Sequence, residues 1–183
     1  MTENIKDLDK LTEGELKKLL LETVRSLWSV DGLYFLGIEK RFGTEKATDI
    51  DAEVWSIMGV IEAKRLKKFF NITGNGIKDL YRALSYSSWY LYMDEKDMNI
   101  VDNRYVEIKN YSCTIQKTRI KKGLNVFPCE RVREGFLRSF AKEINSDFTV
   151  KVVACPPSGY SDDLWCSWQI MENKTDGDNI SEK

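Results

Sequence analysis

Apolar residues at helical spacing run through the N-terminal part of the chain. Thr12 and Glu15 have the spacing of a capping box, in which each side chain bonds the other residue's backbone N–H. An apolar stripe follows and continues to Gly43, so the pattern predicts one helix, or a broken pair of helices, ending there. The stripe comprises Leu16, Leu19, Leu20, Val24, Trp28, Phe35 and Phe42.

Two more helices are predicted before the pattern changes. Asp49 or Asp51 can cap the second, and the turn-forming run at 71–76 stops it. A third fits residues 77–89. The stripe of the second helix is Val54, Trp55, Met58, Ile61, Leu66 and Phe69, and that of the third is Ile77, Leu80, Tyr81, Leu84 and Trp89.

Residues 104–116 alternate in polarity as strands do. One face carries Tyr105, Glu107, Lys109 and Tyr111, and the other carries Val106, Ile108 and Asn110. After this strand, Pro128 and Cys129 open a further helix with apolar Val132, Phe136, Phe140 and Ile144.

A hairpin is predicted at the end of the domain. Two strand-like runs, 150–155 and 164–170, flank a segment rich in turn formers. A loop centred between Tyr160 and Ser161 places Cys155 opposite Cys166, with Cβ atoms roughly 4.5 to 5.5 Å apart. These two thiols are therefore predicted to be a pair at disulfide or metal-ligand distance.

The predicted fold class is α+β, with N-terminal helices packed on a small C-terminal antiparallel sheet that carries one further helix. Residues 1–172 form a single domain in this prediction, with a helical part at about 12–93 and a sheet part at about 98–172. The polar residues 173–183 are predicted to be a disordered tail.

Composition narrows the possible partners. The 183 residues carry 28 Lys and Arg against 29 Asp and Glu, a formal net charge of −1, which does not favour nucleic acid or an anionic membrane. No uncharged stretch approaches the roughly 18 residues of a membrane span, and the first residues do not resemble a secretion signal. We therefore expect a cytoplasmic protein, in which cysteines are more often free thiols or ligands than disulfides.

Charged residues interrupt two of the apolar stripes. Asp31 continues the stripe of the first helix, and Glu62 lies among the apolar residues of the second, one turn from Arg65. In one interpretation Asp31 and Arg65 form a structural ion pair between helices. In the other, Asp31, Glu39 and Glu62 face an aromatic-lined pocket, where a raised pKa suits one of them to acid-base chemistry. The chain has no histidine for that role.

The four cysteines show no metal-binding motif by spacing alone. Cys113, Cys129, Cys155 and Cys166 are separated by 15, 25 and 10 residues, so no pair has the two-residue spacing of a zinc ribbon or ferredoxin. They can be buried core thiols. If all four converge, they suit zinc or an iron-sulfur cluster. The position of Cys129 at a helix start predicts a lowered thiol pKa.

Several segments resemble an uncharacterised family of methanogenic archaea and anaerobic bacteria, without an established activity. The matching segments are residues 28–35, 53–55, 113–129, 154–157 and 165–168, together with Glu39. The resemblance implies that the four cysteines, Asp31, Glu39, Gln116 and Arg119 belong to one site. The C-terminal part is similar, more distantly, to the L-2-amino-thiazoline-4-carboxylic acid hydrolase family and to 4-vinyl reductase-like ligand-binding domains. In the uncharacterised family the loop after the segment 154–157 often carries a histidine, whereas residues 158–161 of this chain contain none.

Three functional hypotheses follow. The first is a binding domain for a small molecule or a metal, with thiolate ligands from the four cysteines, anion contact from Arg119, acid-base work by Asp31 and Glu39, and further ligand contacts from Gln116, Glu62, Arg65 and Trp168. The second is a hydrolase of a small carbon-nitrogen or carbon-sulfur substrate, with a cysteine such as Cys155 as nucleophile and a carboxylate as base. The third is a non-catalytic interaction module that packs on a partner or forms a homodimer.

Overall fold

Long helices precede a four-stranded antiparallel sheet, and two further helices lie between the second and third strands in the sequence. The computed structural model describes residues 6–173. The α+β class is confirmed. After a short 3-10 helix at Leu8–Lys10, the elements are α1 (Glu13–Phe42), α2 (Thr44–Phe69), α3 (Ile77–Leu84), α4 (Ser88–Tyr92), β1 (Lys96–Val101), β2 (Tyr105–Asn110), α5 (Thr114–Lys121), α6 (Glu130–Ile144), β3 (Phe148–Ala154) and β4 (Cys166–Glu172).

Helix α1 begins at the predicted capping box and is a single 30-residue helix. Glu15 N donates to Thr12 Oγ1 at 3.3 Å, and Thr12 N donates to Glu15 Oε2 at 2.8 Å. The helix ends where Gly43 adopts a φ of 85°, a conformation that favours glycine. Only part of the predicted stripe is buried, namely Val24, Trp28 and Phe35, whereas Leu16, Leu19, Leu20 and Phe42 are exposed.

Helix α2 begins at Thr44, so the prediction that Asp49 or Asp51 caps it was wrong. The left-handed conformation of Gly43 turns the chain within one residue and lets α2 start at once. The buried face is also shifted from the predicted stripe, because Trp55, Gly59 and Glu62 are buried whereas Val54, Ile61 and Phe69 are exposed.

Two glycines let α2 and α6 approach each other closely. A Cβ atom added at Gly59 lies 2.6 Å from the Phe136 carbonyl oxygen, and one added at Gly135 lies 2.5 Å from Ser56 Oγ. The predicted stripe of α6 is confirmed, since Val132, Phe136, Phe140 and Ile144 are all buried. This close packing of α2 on α6 fixes the orientation of the α6 side chains near Gly135.

The sheet has the order β1-β2-β4-β3. The alternation predicted for β2 is confirmed, with Val106, Ile108 and Asn110 on the buried face. The strand stops at Asn110, which pairs with Cys166 at the start of β4, and residues 114–116 begin α5 instead of extending the strand. The third predicted helix is split into α3 and α4 by a turn, where Ser87 Oγ caps α4 by accepting from Tyr90 N at 3.2 Å.

The predicted C-terminal hairpin is formed by β3 and β4. Ala154 pairs with Ser167, after a register shift that begins at Val152. This register brings Cys155 and Cys166, the residues next to that pair, to the same end of the sheet. The predicted disordered tail lies almost entirely outside the described residues. Within residues 6–173, no helix combines the length and apolar character needed to cross a membrane.

Candidate functional site

A cavity of about 470 Å³ lies where α1, α2, α5 and α6 meet the ends of β2, β3 and β4. Its lining combines thiols, carboxylates, one arginine from α6 and aromatic rings. These are Cys113, Cys129, Cys155, Cys166, Asp31, Asp51, Arg133, Trp28, Phe35, Trp55, Trp89, Tyr92 and Phe127.

The four cysteines share this cavity, and all are free thiols. Cys129 Sγ lies 3.4 Å from Cys155 Sγ, a contact that the sequence did not predict, and the pairing of Cys155 with Cys166 stays a prediction. In residues 6–173, no three His, Cys, Asp or Glu side chains are grouped as metal ligands. This geometry gives no support to the zinc or iron-sulfur ligand set of Cys113, Cys129, Cys155 and Cys166, which stays a prediction.

The thiols differ in acidity. The pKa of Cys129 is lowered, chiefly by the hydrogen bond with Cys155, and also by the nearby Arg133 charge and by Gln116. The contact with Cys129 and burial raise the pKa of Cys155. Burial also raises the pKa of Cys113 to about 11 and that of Cys166 to about 12. Cys129 is therefore the thiol closest to a thiolate at neutral pH.

Arg133 is a buried cation of the cavity lining that was not predicted as a site residue. Its side chain is only 7% exposed. The guanidinium carbon lies 4.8 to 5.3 Å from the ring centroids of three tryptophans and a phenylalanine, at cation–π distance. Nη1 is buried and has no hydrogen-bond acceptor among the described residues. The four rings are those of Trp28, Trp55, Trp89 and Phe136.

Two carboxyl groups from neighbouring helices face this cation. Asp31 Oδ1 accepts a hydrogen bond from Trp55 Nε1 at 3.0 Å, and burial raises the pKa of Asp31. Asp51, a predicted cap of the second helix, lies inside α2. Burial and the negative charge of Asp31 raise its pKa to about 7. Asp31 is thus a cavity residue, and the predicted pairing with Arg65 was wrong because Arg65 is exposed and Asp31 bonds Trp55 instead.

Arg119, the predicted anion contact, is already occupied. It makes two hydrogen bonds to Glu39, at 2.8 and 2.9 Å, and its Nε donates to the Asn125 carbonyl oxygen at 2.9 Å. Glu39 also accepts from Thr44 Oγ1 at 2.8 Å, and its pKa is lowered by the hydrogen bonds from Arg119. This pair connects the end of α1 to α5.

Gln116 connects α5 to the loop before α6. Its Nε2 donates to the Phe127 carbonyl oxygen at 2.8 Å, and its Oε1 accepts from Phe127 N at 2.8 Å. The same Nε2 lies 3.7 Å from Cys129 Sγ. Gln116 therefore lies at the cavity, as predicted, and positions both Phe127 and the thiol.

Three predicted ligand-binding residues lie away from the cavity lining. Glu62 is buried but accepts from Ser88 N at 2.5 Å and from Ser88 Oγ at 3.2 Å, which anchors the start of α4, and burial raises its pKa. Arg65 is exposed. Trp168 is fully buried in the core.

The chain belongs to a family of unknown function, DUF6125, whose model matches residues 9–171. The expectation of an uncharacterised family is thereby confirmed. No curated protein matches the chain. One solved structure with a similar arrangement is a trafficking protein particle complex subunit 3 from Naegleria fowleri, covalently bound to palmitic acid. It is 11% identical, with a TM-score of 0.49, and the match covers 88% of this chain and 98% of that one.

Proposed function

We propose that this protein binds a small organic acid in the cavity, with the acid group against Arg133 and the apolar part against the surrounding aromatic rings. The observation that carries this proposal is Arg133, a residue that is only 7% exposed and whose Nη1 has no acceptor among the described residues. A buried charge is costly unless it is paired and hydrogen-bonded. An anionic ligand supplies both the charge and the acceptor atoms.

The protein's own carboxylates do not fulfil this role. In residues 6–173, Arg133 makes no ion pair with a carboxylate within 4.0 Å. Asp51 has a pKa of about 7, so it is close to half protonated at neutral pH. Because that proton reduces the negative charge in the cavity, an incoming carboxylate meets less repulsion. A planar guanidinium also matches a carboxylate through two parallel hydrogen bonds.

The cavity walls favour an acid with an apolar body. The Trp28 ring stacks on Trp55, with ring centroids 4.6 Å apart, and on Tyr92, with ring centroids 5.0 Å apart. Phe35 and Phe127 meet edge to face at 4.7 Å. The volume of about 470 Å³ lies within the range of small-molecule sites. Aromatic walls with one charged anchor are typical of such sites.

Matched acids and amides test the proposal. The purified chain is titrated with benzoate, 3-phenylpropionate and octanoate, and with the corresponding amides, while the fluorescence of the cavity tryptophans is followed. At least one acid is expected to bind about tenfold or more tightly than its amide, since a charge-assisted pair contributes over 1.4 kcal/mol. Arg133→Met removes this preference. Arg138→Met, on the exposed side of α6, retains it. Equal binding of every acid and its amide contradicts the proposal.

Self-association is a second candidate, because α1 and α2 expose large apolar side chains. Leu33 is 68% exposed and Phe69 is 80% exposed. Exposed apolar surface of this kind favours packing on a second copy. If analytical ultracentrifugation shows only a monomer at high protein concentration, this candidate is ruled out.

Metal analysis of anaerobically purified protein tests the predicted metal site. About one zinc or iron ion per chain is the supporting result.

A further inference from the structure

Cys129 and Cys155 form a contact that the organic-acid proposal does not use. Their sulfur atoms lie 3.4 Å apart in the reduced chain. A disulfide needs about 2.05 Å, so the two atoms must approach by about 1.4 Å. Cys129 comes from the start of α6, and Cys155 comes from the end of β3.

The two thiols differ in access. Cys129 is partly exposed, whereas Cys155 is 1% exposed. Both line the cavity, so a reagent that enters reaches both residues, and Cys129 is the more exposed of the two. This is the arrangement of an attacking thiol and a resolving thiol.

The surroundings of Cys129 stabilise its thiolate. Gln116 Nε2 lies 3.7 Å away, and Cys155 can donate its S–H across the 3.4 Å contact. Arg133 is one helical turn further along α6, on the same face, because Arg133 N donates to the Cys129 carbonyl oxygen at 2.8 Å. Three donors or cations thus surround one sulfur, and among the four cysteines only Cys129 has a lowered pKa.

We propose that Cys129 and Cys155 are a redox-active dithiol that reduces small-molecule disulfides admitted to the cavity. The Cys129 thiolate attacks one sulfur of the substrate disulfide, forming a Cys129 mixed disulfide and releasing one thiolate, which takes a proton from water. Cys155 then attacks Cys129 Sγ, the mixed-disulfide bond breaks as the Cys129–Cys155 disulfide forms, and the leaving thiolate takes the Cys155 proton and departs as the second thiol. Two protein thiols are oxidised and one substrate disulfide is reduced.

The second step follows from the first. The hydrogen bond to the Cys129 thiolate is the main factor that keeps the proton on Cys155. Once Cys129 is in the mixed disulfide, that acceptor charge is gone, so Cys155 ionises more readily. A low-molecular-weight thiol returns the protein to the dithiol by the reverse exchange.

The test uses bis(2-hydroxyethyl) disulfide, a neutral probe that needs no contact with Arg133. The native full-length chain is incubated with excess probe, quenched in acid and measured by intact mass and peptide mapping. The wild type is expected to lose about 2 Da and to show a Cys129–Cys155 cross-link. Cys155→Ser is expected to stop at a single adduct on Cys129, and Cys129→Ser to react at least about tenfold more slowly.

Cys113 and Cys166 of the wild type are the internal controls, because both residues line the same cavity and neither is expected to carry the first adduct or the cross-link. If a serine variant fails to fold, the rates of alkylation of the wild-type cysteines are measured instead. Cys129 is expected to be labelled at least about tenfold faster than the other three cysteines. Four free thiols after treatment overturn the proposal, as does a cross-link or a first adduct at another cysteine. Because the probe is uncharged, these results are independent of whether organic acids bind.

Discussion

Arg119 and Glu39 form a two-point ion pair, with Nη1–Oε2 and Nη2–Oε1 distances of 2.9 and 2.8 Å, that joins the end of α1 to α5. Both side chains are largely buried, at 8% and 14% exposure. Since Arg119 is held in this way, Arg133 is the buried cation of the cavity without a carboxylate partner within 4.0 Å among residues 6–173.

Removing one member of the Arg119–Glu39 pair is expected to be costly. Glu39→Ala leaves the guanidinium buried without its partner, and a loss of about 3 to 5 kcal/mol in the free energy of unfolding is expected. Urea unfolding of the variant and the wild type measures this loss. The control is Glu22→Ala, which breaks an exposed pair with Arg25 and is expected to cost about 0.5 kcal/mol or less. Equal losses in the two variants contradict this role of Glu39.

The same pair predicts a loss of stability in acid. The folded-state pKa of Glu39 is lowered from its ordinary value of 4.5. Its contribution is therefore fully present above about pH 4.5 and is lost as the pH falls through the lowered folded-state pKa. Glu39→Gln removes this part of the acid sensitivity, which is measured by urea unfolding between pH 3 and 6. Parallel pH profiles for the variant and the wild type contradict the assignment.

The raised pKa of Asp51 predicts that the free energy of unfolding depends on pH with the opposite sign. Its folded-state pKa is about 7 against an ordinary value of 3.8, so the folded state binds more protons in that window. The part of the free energy of unfolding due to Asp51 falls as the pH rises from about 4 to 7. Asp51→Asn removes that decline, and Asp31→Asn shifts it to lower pH because the neighbouring negative charge is gone. An unchanged pH profile in Asp51→Asn rules out a buried carboxyl at this position.

The crossing of α2 and α6 predicts that Gly59 tolerates no side chain. A Cβ atom there lies 2.6 Å from the Phe136 carbonyl oxygen, so Gly59→Ala forces the helices apart and is expected to cost about 1 to 3 kcal/mol. Gly14→Ala is the control. A Cβ atom at Gly14 meets nothing within 4 Å, so the higher helix propensity of alanine is expected to raise stability by about 0.5 to 1 kcal/mol. A neutral Gly59→Ala contradicts the close packing.

Local patterns were sufficient for much of the fold. The capping box at Thr12, the alternation of β2 and the turn formers before Cys166 are short-range signals, and each gave the correct element. The start of α2 was misplaced because the left-handed turn at Gly43 needs only one residue, and the pattern around Asp49 and Asp51 resembles a cap. Residues 114–116 were misassigned because their helical state depends on where β4 begins, opposite Asn110.

The site could be predicted only in part. Asp31 was singled out as a charge on an apolar stripe, and the same rule applied to α6 identifies Arg133, which lies between Val132 and Phe136 on the buried face. The choice between Arg119 and Arg133 as the free cation could not be made from the sequence. It depends on the contact of Arg119 with Glu39, 80 residues away in the chain.

The most direct test of the organic-acid site is the free energy of unfolding of Arg133→Met, with and without an acid that the wild type binds. Without the acid, the variant is expected to lose no more than about 2 kcal/mol, because the loss of the cation–π contacts is offset by the removal of a buried charge without a carboxylate partner within 4.0 Å. With the acid at about 100 times its Kd, the wild type and Arg138→Met are expected to gain about 2.7 kcal/mol, and Arg133→Met to gain nothing. An equal gain in Arg133→Met, or a loss of several kcal/mol in that variant without the acid, contradicts the account.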